Sequence, residues 1–191
     1  MSGSSDSLAA VVLAGGLGRR MGGADKGLIE YRGRPLIEWA LAALAPQVGE
    51  IFISANRNLD RYAAYGYRVL PDTLADFPGP LAGVLAALDV VETGWLLVVP
   101  CDTPHLPTDL ASRLLQAAQR EDVPLAVAAD DERVHHSCFL VRADQRSGLA
   151  AYLASGERAV RHWQAGRASA TVRFDAACFA NFNRSRDLQT G

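Results

Sequence analysis

An apolar run passes directly into a glycine-rich, basic segment near the start of the chain, and this feature constrains the fold most. Residues 11–26 read Val-Val-Leu-Ala-Gly-Gly-Leu-Gly-Arg-Arg-Met-Gly-Gly-Ala-Asp-Lys. Glycines let several backbone N–H groups approach one polyanion, and Arg19, Arg20 and Lys26 add positive charge. The segment therefore predicts a loop that binds nucleotide phosphates; the alternative is a flexible strand-to-helix turn.

Spacing excludes two familiar phosphate loops. A P-loop requires Ser or Thr after its lysine, whereas Gly27 follows Lys26. The dinucleotide fingerprint that starts at Gly16-x-Gly18 requires glycine at position 21, which is Met21. A longer loop remains, and its glycines, Gly16 included, are candidate nucleotide-binding residues.

Size, charge and cysteine usage limit the class of protein. With 191 residues, 49% of them hydrophobic, we expect a short flexible tail over residues 1–7 and one domain over residues 8–191. A net charge of −2 gives no general attraction to nucleic acid or anionic lipid. Three separated cysteines and the lack of a long apolar run favour a reduced, cytoplasmic protein outside the membrane.

Short apolar runs alternate with helical patterns, which is typical of an α/β domain. The central runs lack polar alternation, so we expect a mostly parallel sheet with helices on both faces. Predicted strands are Leu8–Leu13, Glu50–Ser54, Tyr67–Leu70, Trp95–Val99, Leu125–Ala128 and Ser137–Val141, and predicted helices follow Pro35, Pro80, Pro107 and Gln145.

Asp102 is the candidate metal ligand, because it follows the strand at 95–99 within Pro-Cys-Asp-Thr-Pro. Magnesium takes carboxylate oxygen together with substrate phosphates, so one aspartate can suffice. The alternative is that Asp102 caps a turn or helix. Cys101 is interpreted as a small buried neighbour, since phosphoryl transfer needs positioning and charge rather than a protein nucleophile.

Polar and glycine residues after two other strands are candidate nucleotide contacts. Asp72 can accept hydrogen bonds from a base edge or a ribose, and Gly79 and Gly83 would let a ring or phosphate approach the backbone. Asn56 is either a polar side chain that contacts the nucleotide or, equally, a helix cap. The alternative for Pro78-Gly79-Pro80 is a stiff turn.

Two amides near the end of the chain are candidates for the second substrate. Asn181 and Asn183 stand at i and i+2, hence on one side of an extended segment, and suit a flat heterocycle such as a pterin. The alternative is a turn. The histidines show no metal-binding spacing, and His136-Ser137 opens a predicted strand, where it can meet substrate.

Together these motifs resemble the molybdenum cofactor guanylyltransferases. The motifs are Leu-Ala-Gly-Gly, Arg-Met-Gly-Gly-x-Asp-Lys, Asn-Arg, Pro-Gly-Pro-Leu-Ala-Gly, Pro-Cys-Asp-Thr-Pro and Asn-x-Asn, spread from Leu13 to Asn183. The resemblance implies a three-layer, Rossmann-like nucleotidyltransferase fold. It also implies transfer of GMP from GTP to molybdopterin-bound molybdenum cofactor with Mg²⁺ and release of pyrophosphate.

The resemblance also assigns residues. It implies that Leu13, Ala14, Gly15, Lys26 and Asp72 contact GTP, and that Asp102 binds GTP through Mg²⁺. We interpret Arg19, Lys26 and Asp102 as catalytic, because they manage charge during in-line attack on the α-phosphorus. This chain departs from the family pattern at Ser54, Ser137 and residues 184–186, mostly on the acceptor side.

Two alternatives stay open: a cytidylyltransferase of the same superfamily, and a non-catalytic carrier of GTP or molybdopterin. Further candidate partners are molybdenum-insertion proteins and apo-molybdoenzymes. We expect a monomer with no nucleic-acid or membrane partner.

Overall fold

The structure is a computed structural model that describes residues 8–15, 25–72 and 79–180. Its strands are β1 (Leu8–Leu13), β2 (Glu30–Tyr31), β3 (Arg34–Pro35), β4 (Glu50–Ser54), β5 (Arg68–Leu70), β6 (Trp95–Pro100), β7 (Leu125–Ala129), β8 (Val134–Arg142) and β9 (Ser169–Arg173). Its α-helices are α1 (Leu36–Leu44), α2 (Leu59–Ala63), α3 (Pro80–Leu88), α4 (Leu110–Glu121), α5 (Arg146–Ala154) and α6 (Val160–Ala165).

The main sheet has seven strands among the described residues, in the order β5-β4-β1-β6-β8-β7-β9. β1 pairs in parallel with β4 on one side and with β6 on the other. β8 is antiparallel to both of its neighbours, β6 and β7. The expected mostly parallel sheet is therefore confirmed, with β8 as the reversed strand.

Helices cover both faces of this sheet. In β1, Ala10 and Val12 belong to the core on the side of α1 and α4, whereas Ala9 and Val11 belong to the core on the side of α3 and α5. All four of these side chains are fully buried. Burial on both faces explains why the strand reads as a continuous apolar run, and it confirms the three-layer α/β architecture.

Two of the predicted strands begin and end at the predicted residues, whereas β8 does not. β1 and β4 match, but β8 begins at Val134 rather than at position 137. His136 and Ser137 therefore lie inside this strand instead of opening it, which corrects the prediction. The hairpin β2–β3, the helices α2 and α6, and β9 were not predicted. These elements are short, so their apolar patterns are weak. In β9, for example, Ala170 is the one buried residue.

Among the described residues, no helix is both long and apolar enough to span a membrane. Residues 1–7 lie outside the described part, so the division into a tail and a single domain stays a prediction.

Replacement of Gly83 by alanine should destabilise the fold. A Cβ built on Gly83 would lie 2.1 Å from Ser54 Oγ and 2.9 Å from Ser54 Cβ, so α3 or β4 would have to shift. We expect a loss of about 1–3 kcal/mol in the free energy of unfolding, measured by urea denaturation. Gly94→Ala is the matched control, because a Cβ on Gly94 would meet nothing within 4 Å.

The Gly83→Ala/Ser54→Gly double variant should recover part of the lost stability, because it removes both clashing atoms. Equal stability of Gly83→Ala and Gly94→Ala would contradict the close approach of α3 to β4.

Candidate active site

A cleft of about 510 Å³ opens where β1, β4, β5 and β6 end. Parallel strands of an open α/β sheet bring their carboxyl ends to one edge, which is where such folds bind ligands. The residues that line the cleft are Leu13, Ala14, Gly15, Lys26, Ser54, Asn56, Asp72, Gly79, Pro80, Pro100, Cys101, Asp102 and Ser137. Among the described residues, every predicted nucleotide contact except Gly83 is in this set.

The charged centre of the cleft is an ion pair between Lys26 and Asp102. Lys26 Nζ lies 2.8 Å from Asp102 Oδ2, and the two side chains are 31% and 12% exposed. Lys26 begins a short 3₁₀-helix after the glycine segment, and Asp102 follows β6. The next helix, α4, begins eight residues later at Leu110, so Asp102 is not a helix cap. The structure thus brings two predicted catalytic residues into contact.

Cys101 is fully enclosed beside this pair. Burial, with the neighbouring Asp102 charge, raises the pKa of the Cys101 thiol far above its usual range. A thiol held neutral is a poor nucleophile, which agrees with the prediction that Cys101 is a buried neighbour.

Asn56 and Asp72 form a second polar unit in the cleft. Asn56 Nδ2 donates to Asp72 Oδ2 at 2.7 Å, and the backbone N–H of Asp72 donates to Asn56 Oδ1 at 2.8 Å. Partial burial raises the pKa of Asp72, and the hydrogen bond from Asn56 opposes that shift. α2 begins at Leu59 with no side-chain cap bond, so Asn56 is a cleft residue rather than a helix cap.

The glycines of the cleft differ in their surroundings. A Cβ on Gly79 would meet nothing within 4 Å, whereas a Cβ on Gly15 would lie 3.3 Å from Asn56 Nδ2. Gly83 does not line the cleft. The side of Gly83 that would carry a Cβ packs closely against Ser54. Its predicted role in admitting a ligand is therefore replaced by a packing role.

An aspartate that sequence reasoning did not single out anchors the start of the Lys26 segment. The Asp25 side chain is 5% exposed. It accepts hydrogen bonds from the Tyr62 hydroxyl and, at 2.9 Å, from Asn58 Nδ2, while Arg57 Nε lies 3.7 Å away. Burial, reinforced by this hydrogen bond, raises the pKa of Tyr62 far above its usual range, so its hydroxyl stays a donor. The Asp25-Lys26 adjacency was visible in the sequence, but Tyr62 lies 37 positions away.

A second buried pair lies at the other half of the same sheet edge. His135 Nε2 is 2.8 Å from Asp130 Oδ2, and the His135 ring stacks on Phe179 with centroids 4.2 Å apart. The backbone N–H groups of Arg133 and Glu132 hydrogen-bond Asp130 and lower its pKa to about 2. The Asp130–His135 pair links the residue after β7 to the beginning of β8 and so stabilises the turn between them.

Several predicted residues lie outside the described part of the chain. These are Gly16, Arg19 and Arg20 of the glycine segment and the amides Asn181 and Asn183. Their predicted roles stay predictions.

Comparison with known proteins supports the class that the cleft indicates. The family described as "MobA-like NTP transferase domain" matches residues 10–171. The solved structure of molybdopterin-guanine dinucleotide biosynthesis protein A from Archaeoglobus fulgidus superposes with a TM-score of 0.77 at 22% identity, over 94% of each chain. The chain is therefore an NTP transferase of the MobA-like class, with the fold of that class.

Two curated relatives narrow this class. The molybdenum cofactor guanylyltransferase of Shewanella sp. (strain ANA-3) is 47% identical, over 90% of this chain and 85% of the relative. That of Cupriavidus metallidurans is 44% identical, over 97% of this chain and 94% of the relative. The chain belongs to the molybdenum cofactor guanylyltransferase family.

Neutralising the buried aspartate should destabilise the site. Asp25→Asn replaces charge-assisted hydrogen bonds from Tyr62 and Asn58 by weaker or mismatched ones. We expect the free energy of unfolding to fall by about 1–3 kcal/mol, measured by urea denaturation. Asp60→Asn, at an exposed position of α2, is the matched control. A loss no greater than that of the control would show that the Asp25 contacts contribute nothing to stability.

Proposed function

We propose that the chain transfers GMP from GTP to the phosphate of molybdopterin-bound molybdenum cofactor, which releases pyrophosphate. The observation that carries this proposal is the Lys26–Asp102 ion pair, which lies in a cleft that Asp72 and Gly79 also line. An ammonium group and a carboxylate side by side suit a polyphosphate and its cation.

The nucleotide half of the cleft is assigned from its donors and acceptors. Asp72, oriented by Asn56, accepts hydrogen bonds from the guanine edge or the ribose. The N–H of Ala14 already donates to the Ser54 carbonyl at 2.8 Å, so Ala14 contributes contact rather than an N–H donor. Lys26 places its ammonium group against the triphosphate.

Asp102 fits a magnesium ion, because it presents a hard carboxylate oxygen inside the cleft. No group of three or more metal-binding side chains occurs within the described ranges, so one carboxylate would share the ion with substrate phosphates. Bound there, Mg²⁺ would neutralise charge on the phosphates. With the ion in place, Asp102 would be shared between Mg²⁺ and Lys26, and the Lys26 ammonium group would also interact with the triphosphate.

The proposed reaction needs no covalent enzyme intermediate. An oxygen of the acceptor phosphate forms a bond to the α-phosphorus of GTP, while the bond from that phosphorus to the bridging oxygen breaks. Pyrophosphate leaves with the electron pair. Lys26 opposes the negative charge that develops on this leaving group, so its contribution is larger in the transition state than in the bound substrate.

The proposed cellular setting is the one that the sequence favours. We propose that the enzyme acts as a cytoplasmic monomer that exchanges cofactor with molybdenum-insertion proteins and apo-molybdoenzymes. No nucleic-acid or membrane partner is part of this proposal.

Pyrophosphate release from GTP, CTP, ATP and UTP, each with Mg²⁺ and with or without molybdopterin cofactor, tests the reaction. We expect release to require both GTP and the pterin. Release with CTP instead would make the chain a cytidylyltransferase. Binding of GTP with no release from any nucleotide would make it a carrier.

Removal of either member of the ion pair should suppress turnover. Asp102→Ala and Lys26→Ala should each lower kcat/KM by ~100-fold or more, because each removes preorganised charge. Arg34→Ala is the matched control, since Arg34 of β3 forms a partly exposed ion pair with Glu38 of α1 and neither residue lines the cleft. Turnover of Asp102→Ala at the wild-type rate would contradict the metal assignment.

A further inference from the structure

Tyr62 contacts the chain on both sides of Lys26. The residue belongs to α2, and its side chain is fully buried. Its hydroxyl donates a hydrogen bond to Oδ1 of Asp25, which directly precedes Lys26. On the other side, a Cβ built on Gly27 would lie 2.7 Å from the Tyr62 hydroxyl oxygen and 3.3 Å from its Cε1. The backbone of Gly27 therefore lies close to the same phenol group that holds Asp25.

Asn58 supports this contact from the same face of α2. It stands just before the helix, and the backbone N–H of Tyr62 donates to its carbonyl oxygen at 3.1 Å. Residues four positions apart lie on one side of a helix, so both side chains can reach Asp25. Nδ2 of Asn58 donates to Asp25 Oδ2 at 2.9 Å. Each carboxylate oxygen of Asp25 thus has a donor from this one segment.

Lys26 differs from its two neighbours, because its side chain lies in the cleft. The Asp25 side chain is 5% exposed and Gly27 is buried, whereas the Lys26 side chain is 31% exposed. The lysine side chain is a flexible four-carbon stem, so the place of its ammonium group depends on where the backbone is held. Contacts at the residues before and after Lys26 hold that backbone from both sides.

We propose that Tyr62 is a positioning residue for the reaction: it fixes the backbone of Lys26 so that the ammonium group meets the triphosphate beside Asp102. This inference rests on the proposed function, because that function gives Lys26 its role. Tyr62 is not among the residues that line the cleft, so it acts through Asp25 and Gly27 rather than on the substrate.

The nucleotide half of the cleft is held by a different residue of the same segment. Asn56 makes its two hydrogen bonds to Asp72, at 2.7 and 2.8 Å, and neither involves Tyr62. Loss of the Tyr62 hydroxyl therefore leaves the Asn56–Asp72 contact in place. The expected consequence is a loss of turnover that exceeds the loss of nucleotide binding.

Steady-state kinetics of Tyr62→Phe test this assignment, because the variant removes the hydroxyl and keeps the ring. We expect kcat to fall by about 10- to 100-fold, since a small displacement of a catalytic group costs up to ~100-fold in rate. The KM for GTP should change by less than about threefold, because Lys26 acts mainly in the transition state. Tyr152→Phe is the matched control and should leave both values unchanged, since the Tyr152 hydroxyl donates to the Ala159 carbonyl at an exposed position.

A double-mutant cycle with Lys26→Ala separates positioning from a general loss of stability. Once the lysine is absent, Tyr62→Phe should have little further effect on the rate of single turnovers at excess enzyme. The same fold-loss with and without Lys26 would overturn the assignment.

Gln164→Met is the control for stability. Gln164 of α6 is 4% exposed and makes two hydrogen bonds with His136 of β8, at 2.7 and 3.1 Å. Neither residue lines the cleft. The variant should therefore lower the free energy of unfolding, measured by urea denaturation, and leave kcat unchanged.

Gly27→Ala gives an independent test, which also serves where Lys26→Ala turns over too slowly to measure. Its methyl group would press on the Tyr62 hydroxyl oxygen, so we expect kcat to fall by about 10-fold or more. In the Tyr62→Phe background that oxygen is gone and the nearest atom is Cε1 at 3.3 Å, so the same alanine should cost much less.

Two outcomes overturn the assignment while guanylyl transfer stands. One is Tyr62→Phe that turns over at the wild-type rate, and the other is an equal cost of Gly27→Ala in both backgrounds. Wild-type protein that releases no pyrophosphate with GTP and pterin would instead overturn the proposed function itself.

Discussion

The register of β1 against its two parallel neighbours is the constraint on which the site depends. Leu13 at the end of β1 is level with Ser54 of β4 and with Pro100 of β6. Because parallel strands end at the same edge, three segments far apart in sequence leave the sheet side by side. Gly15, Asn56 and Asp102 therefore enter one cleft without any long-range motif that encodes their proximity.

Two adjacent residues then attach the glycine segment to this edge in opposite ways. Asp25 is held in a buried cluster by side chains that follow β4, whereas Lys26 reaches Asp102 after β6. The Asp25 contacts are enclosed and depend on fixed donors. The Lys26–Asp102 contact is partly open to solvent. Two adjacent residues therefore combine a buried carboxylate with fixed partners and an ammonium group whose ion pair can change when phosphate binds.

Local signals in the sequence pointed to residues that line the cleft, whereas their long-range packing partners could not be predicted. Asp102 was recognisable because it follows the strongly apolar strand β6, Asp72 because it follows the short strand β5, and Lys26 because it ends the glycine-rich basic segment. The partners of Asp25 and of His136 lie 37 and 28 positions away, and nothing local indicates them. Gly83 of α3 was misinterpreted for the same reason, because its neighbour Ser54 belongs to β4, far away in the sequence.

The reversal of β8 explains why the second half of the cleft is harder to predict. In an open α/β sheet, functional residues are sought after the strands, since that is where parallel strands end. An antiparallel strand presents its beginning at the same edge, so its cleft residues lie within the strand pattern. Ser137 lines the cleft from such a position, and the bulge between β7 and β8 occurs at this end of the strand. Residues near the start of a reversed strand are therefore as informative about a site as those that follow a parallel one, because the sheet brings both to the substrate.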